Sequence, residues 1–463
     1  MEQRHVRRRR HRYRRRIGFA MLLLVAAAFV GLIVFAVLSE RKRVETLAAV
    51  VMPPAVIQHN QLAEAIRGVE ADGREIPQDL APAAASVARW AALFQRLEQE
   101  VEGPEWDEVT DLWYAAKSWE ALSPEDRTTI LAFLDARAGL ITSLRECAAL
   151  GGPVRAHTLP VGDGPPSLTA VCALILRIDA VARSNTGNPG LALDNCLAGI
   201  QLSEALAAEP SWFAQVARRS RFSSAYQAIQ EVFDPGDLSG GDVARLIHAV
   251  RASAGREMLV LEIQDFQLGM EDDHADLFDK AWGERFTDMS NLFLLGGGSI
   301  AARGALFAYA SPLGRPWLNR DIARSSELLS RAIAVAHLPY YEAMARYDAT
   351  VYGFSPYARI VDTMPIVSMQ SQANYEAQRQ LLQIGLTLEQ YQAEHGTLPV
   401  SLDTISAGLS EATNIDPFTG GQLIYQVSDS DFLLYSVGRN QTDDGGKHDF
   451  TRGDIVWRGT SPE

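Results

Sequence analysis

Three stretches of this chain carry residue types that can do chemistry. Glu271 to Asp276, EDDHAD, sets four carboxylates around His274. Such oxygens bind a cation only if they converge on one point. Consecutive residues on a helix point apart, so the stretch reads as a solvated acidic turn. Gly297-x-Ser299-x-Ala301 has the spacing of a loose nucleophile elbow, in which small neighbours let a sharply turned Ser expose its hydroxyl. Ala301 stands where the final Gly belongs, and no Asp and His pair stands out downstream, so a tightly packed hinge also fits. The third set is Cys147, Cys172 and Cys196, an odd count that leaves at least one thiol unpaired within the chain. One disulfide and three buried thiols are both compatible with it. No CxxC, Cys/His or HExxH spacing occurs, so the sequence names no metalloenzyme.

The elements that position these residues begin with a basic end. Nine arginines and one acid, Glu2, precede residue 17; Ile17 to Leu38 is then 22 residues without a charge. As a helix that run would be about 33 Å long, enough to cross a hydrocarbon core. Its length and the poor cleavage site at FAVLSE favour an uncleaved signal-anchor over a cleaved signal peptide. The arginines predict a cytoplasmic N-terminus and a periplasmic body, that is, a single-pass protein of the bacterial inner membrane with residues 17–38 in the lipid bilayer. Outside these flanks the body carries 31 basic and 55 acidic residues, a balance that repels nucleic acid.

From Leu47 to about Tyr375 the apolar spacing is helical. Ser123, Pro124, Glu125 and Asp126 are the cap, first-turn and dipole residues of a helix start. Ile130, Leu131, Leu134, Ala138, Ile141 and Leu144 then predict one helix that runs to Gly151. Further helices are expected over 167–184, 189–208, 211–233 and 242–269, with short breaks that make neighbours antiparallel. No fixed repeat recurs, so the body is an irregular array of helix hairpins. Trp90, Trp106, Trp113 and Trp119 read as core and interface residues.

Near Val367 the character changes. A long helix carries Leu381, Leu382, Gly385, Leu388 and Tyr391 on one face, with Gly396 at its end and Pro399 beyond. Ser401 caps a brief second helix; QLIYQV and DFLLYSVG read as a hairpin, and Ile455 to Trp457 as a last strand. The order YQAEHGTLPVSLDTI, DPFTG, LIYQ, FLLYSVG, DDGG and DIVW resembles the head of bacterial type II secretion major pseudopilins over roughly the last 90 residues. The resemblance implies a calcium site in the loop after the hairpin, held by Asp443, Asp444 and Asp454 with Asn440 and Asp449 as helpers. Leu23 stands where that family has Glu, and more than 300 residues separate the apolar run from the head, which argues against processing into a filament.

The fold class expected is therefore mainly α: a basic tail at 1–16, a transmembrane helix at 17–38, an irregular helical body at 39–366 and a small α+β domain at 367–463. The function expected is a membrane-anchored, non-enzymatic binding or scaffold protein of the envelope, with protein partners and a link to a type II secretion or pilus-like system. The alternative is an envelope hydrolase using Ser299 or the carboxylates near His274.

Overall fold

The computed structural model describes residues 31–46, 57–58, 61–62, 64–66, 68, 75–101, 103–116, 118–154, 168–209, 211–232, 239–252, 258–267, 314–348, 363–408, 414–428, 431–447 and 453–458. Among them the chain is mainly helical, with one three-stranded antiparallel sheet near the C-terminus. Helix α1 (Ala81–Val101) gives way to α2 (Pro104–Ala116) at Gly103, whose φ of 130° a side chain would resist. Helix α3 (Pro124–Ala136) starts as its sequence predicts. The Ser123 hydroxyl accepts from Asp126 N, and the Asp126 carboxylate accepts from Ser123 N, which closes a capping box.

The single helix expected as far as Gly151 is two. It breaks at Arg137, φ −111° and ψ 16°, and restarts as α4 (Ala138–Leu150). The Arg137 side chain explains the break: Nε donates to Glu100 O at 2.5 Å and Nη2 to Glu105 Oε2 at 2.8 Å, across the α1–α2 turn. Helices α5 (Leu168–Asn185), α6 (Pro189–Ala207) and α7 (Trp212–Val232) fall within a residue or so of expectation and pack on one another in all three pairings. Small residues permit close approach there: a Cβ on Gly199 of α6 would lie 3.0 Å from Ala225 Cβ of α7. Helix α8 (Gly240–Arg251), capped by the Ser239 hydroxyl, ends well before the expected residue 269; the chain is helical again over 258–267.

The described chain divides into two compact units. In the first, the helix over 31–46 packs on α9 (Arg315–Ala336). Phe35 and Trp317 stack with ring centroids 5.4 Å apart, Asn319 Nδ2 donates to Glu40 Oε2 at 2.5 Å, and Lys42 pairs with Glu327 at 2.7 Å. The second unit holds α1 to α8, α10 (Tyr340–Arg346), most of α11 (Thr363–His395), a 3₁₀ helix (Leu402–Gly408) and the sheet. Strands β1 (Ile424–Ser428), β2 (Asp431–Ser436) and β3 (Ile455–Arg458) lie in the order β1-β2-β3. Leu434 and Tyr435 of β2 and Leu381, Leu382 and Leu386 of α11 are fully buried. Helix α11 ends at Gly396, φ 72°, as its sequence predicts. The outer edge of β3 is covered, because Tyr226 Oη and Gln230 Nε2 of α7 both donate to Val456 O, at 2.9 and 2.8 Å.

The membrane-spanning helix expected at 17–38 needs correction. Residues 17–30 lie outside the described residues, and among the described residues no helix is long and apolar enough to cross a membrane. The part that is described continues without a break into Glu40, Arg41, Lys42, Arg43 and Glu45, and meets α9 through rings and ion pairs. That overturns the single-pass inner-membrane placement, with its cytoplasmic N-terminus and periplasmic body.

Candidate functional site

The acidic loop after β2 is the site the sequence points to. Asp443 Oδ1 accepts from Tyr435 Oη at 2.8 Å and from Gly445 N at 2.9 Å. Asp444 Oδ2 accepts from Asn440 Nδ2 at 2.8 Å. Asp454 is fully buried; its two oxygens accept from Gly446 N at 2.7 Å and Asp444 N at 3.4 Å. Burial pushes the Asp454 carboxyl above its usual range, and the two amide donors oppose that shift. Burial and the Asp443 carboxylate together push the Tyr435 phenol up. Asp443, Asp444 and Asp454 are thus already hydrogen-bond acceptors inside the loop. Among the described residues no three His, Cys, Asp or Glu side chains are placed to hold a metal ion. Asp449, the fifth expected ligand, lies outside the described residues, as do Ser299 and the carboxylates around His274.

A site that the sequence reading missed lies in the helical array. A cavity of about 940 Å³ opens between α1, α2, α5 and α7. Leu97 and Val101 of α1, Trp106 of α2, and Leu168, Val171 and Leu174 of α5 give it apolar walls. Helix α7 contributes Ser220, Arg221, Ser223, Ser224 and Gln227, and α5 adds Arg177. Positions 220, 223, 224 and 227 share one face of a helix, which makes that wall polar along its length. The wall at α2 is held from behind. The Arg137 guanidinium lies 3.8 Å from the Phe133 ring centroid, and Phe133 in turn stands 5.7 Å from Trp106. Arg177 bridges α5 to α7 by donating to both Glu231 oxygens and to Gln227 Oε1. Arg221 donates Nε to Thr169 Oγ1 at 3.3 Å and Nη1 to Ser220 Oγ at 3.1 Å. Burial lowers the Arg221 pKa to about 10, so it remains a cation at neutral pH. One of the four neighbouring tryptophans, Trp106, faces this cavity; Trp90, Trp113 and Trp119 are core, as their spacing suggests.

Two buried polar clusters join α7 to α11 and are closed to any ligand by their own bonding. Arg219 meets Glu262 through two bonds of 2.7 and 2.9 Å, and Ser368 Oγ donates to Glu262 Oε1 at 2.7 Å. Trp212 Nε1 donates to Ser368 Oγ, and Arg219 Nε to Ser371 Oγ. Beside them Arg218 donates to Tyr375 Oη at 3.0 Å, and Tyr375 Oη donates to Glu204 Oε1 at 3.3 Å. These groups are paired with one another across the helices and so position them.

All three cysteines are free thiols: Cys172 and Cys196 are buried and Cys147 is half-buried. Burial pushes the Cys172 thiol up to about 12, which makes it a poor nucleophile at neutral pH. The signal that marks the cavity was in the sequence: a Ser-Arg-x-Ser-Ser-x-x-Gln face on a helix whose other positions are largely apolar or buried. No family model, curated protein or solved structure matches this chain.

Proposed function

We propose that this chain is a non-enzymatic binding protein, with a ligand cavity in its helical array and a pseudopilin-like segment at its C-terminus. The observation that carries the reading is the cavity of about 940 Å³, which combines apolar walls with one polar helix face. Pockets of about 300–1,000 Å³ with mostly apolar linings and a few placed polar groups are the usual form of a small-molecule site. The pseudopilin-like part of the proposal is supported by element order: a long helix, a 3₁₀ turn and a three-stranded antiparallel sheet in sequence. A link to a type II secretion or pilus-like system rests on that order alone.

The test is a thermal-shift screen of the full-length protein against a small-molecule panel, with Val171→Trp as the comparison. Trp at 171 fills the cavity from α5. Compounds that raise the melting temperature of the natural chain but not of the variant are expected. A panel that shifts both proteins equally, or neither, would sink the reading.

A further inference from the structure

The two edges of the sheet differ. The outer edge of β3 is closed, because Tyr226 and Gln230 of α7 both donate to Val456 O. Just before β1, Leu423 N donates to Asn414 O and Ile415 bridges Gln422. Past Leu423, no described residue outside β2 makes a backbone hydrogen bond to the strand. Gln426, Val427 and Ser428 are exposed, Val427 to 42%. An edge strand turns backbone N–H and C=O groups outward, and folded proteins blunt such an edge with Lys, Pro or a bulge. The strand Ile424–Ser428, IYQVS, carries neither a charge nor a Pro. Its register with β2 advances residue for residue from Ile424↔Tyr435 to Ser428↔Asp431, so it has no bulge either.

We propose that this chain forms a two-fold dimer by antiparallel pairing of β1 with β1 of a second copy, which joins the two sheets into one. The strand complements itself. With Gln426 at the two-fold axis, Tyr425 stands opposite Val427 of the second copy, and Ile424 opposite Ser428. Tyr425 and Val427 share a face of the strand, so each exposed Val427 gains an aromatic cross-strand neighbour, a favourable pair. Charge sets the direction. β1 ends at Ser428 beside Asp431. Antiparallel pairing puts the Asp431 residues of the two copies at opposite ends of the contact, whereas parallel pairing sets like charges near one another. The contact is isologous and closes on itself, which ends the exposed edge instead of extending it into a fibre. Five residues a side make a small interface, so the dimer is weak, with a dissociation constant on the order of 10 μM or above. The inference is independent of the cavity.

Sedimentation equilibrium of the full-length protein from about 1 to 300 μM tests this. The natural chain should pass from monomer to dimer over that range. Gln426 is exposed, so charged residues there leave the fold intact. Gln426→Lys and Gln426→Glu each bring like charges together at the two-fold axis, and each alone should associate about tenfold or more weakly than the natural chain. An equimolar mixture of the two variants should recover the dimer, since Lys then faces Glu; that recovery also shows both variants to be folded. A natural chain that stays monomeric throughout the range overturns the proposal. So does a dimer that either variant alone retains at natural strength, or a mixture that associates no better than its components.

Discussion

Gly385 sits in the middle of α11, where Gly costs about 1 kcal/mol relative to Ala. By helix propensity alone, Gly385→Ala should stabilise the protein. The structure predicts the reverse. A Cβ at that position would stand 2.1 Å from Trp457 Nε1 and 2.4 Å from both Cδ1 and Cε2. The indole is only 2% exposed, and the Tyr226 ring lies 5.8 Å from it. Its strand cannot slide, because Val456 O is fixed by Tyr226 and Gln230. Overpacking of this kind costs about 1–3 kcal/mol, and a ring forced off its site also loses part of its burial. Set against the propensity gain of about 1 kcal/mol, the net expectation is a loss of up to about 2 kcal/mol. Urea unfolding of the full-length protein, followed by circular dichroism, measures the loss. Hydrogen exchange should place it at β2 and β3. Replacing the ring removes the clash, so in a Trp457→Leu background Gly385→Ala should be neutral or stabilising. A Gly385→Ala protein that is more stable than the natural chain would refute the close helix-to-strand contact.

Glu262→Ala leaves the Arg219 guanidinium buried without its carboxylate and should cost about 3–5 kcal/mol in urea unfolding; the double change Arg219→Met with Glu262→Leu should recover most of it. Burial raises Asp265 from 3.8 to about 6, so the unfolded chain releases this proton first as pH rises. Its contribution to stability must therefore fall between those two values, and Asp265→Asn should flatten the melting-temperature profile in that window. The calcium expected from the acidic loop predicts a higher melting temperature in millimolar calcium than in chelator, a difference that Asp443→Asn with Asp444→Asn should remove. Equal temperatures for the natural chain refute it.

Helix existence was legible because it follows from short-range chemistry. Ser123, Pro124 and Asp126 state a helix start in four residues, and Gly396 states an end. The three strands were legible from alternation and turn residues. The break at Arg137 was not, because its cause is a contact with Glu100 and Glu105, more than 30 residues away in sequence. The apolar run at 17–38 invited a membrane reading because its hydropathy was judged without its neighbours. The described end of that run meets α9 through Phe35, and the charged turn after it does so through Glu40 and Lys42. The acidic loop lies between β2 and β3, and charge density does not say where its carboxylate oxygens point. Asp443, Asp444 and Asp454 spend theirs on Tyr435, Asn440 and backbone amides.

Helix α7 shows why the cavity was harder to see than the loop. An exposed helix buries one stripe, and its sequence shows that stripe as a 3.6-residue period. Around α7 several faces are occupied at once. Phe222, Ala225 and Ile229 are buried among apolar neighbours. Arg218 and Arg219 are buried against carboxylates and Tyr375. Tyr226 and Gln230 close the edge of β3, and Ser220, Arg221, Ser224 and Gln227 line the cavity. Polar residues are therefore spread around the whole circumference, and the periodic signal cancels. A sequence of that kind reads as an ordinary surface helix, yet here most of its polar groups are buried or half-buried. The inference to carry to other helical arrays is physical: a long helix between two well-packed neighbours, with serines and arginines but no clear apolar stripe, has partners on several faces. One of those faces is where a cavity is to be sought.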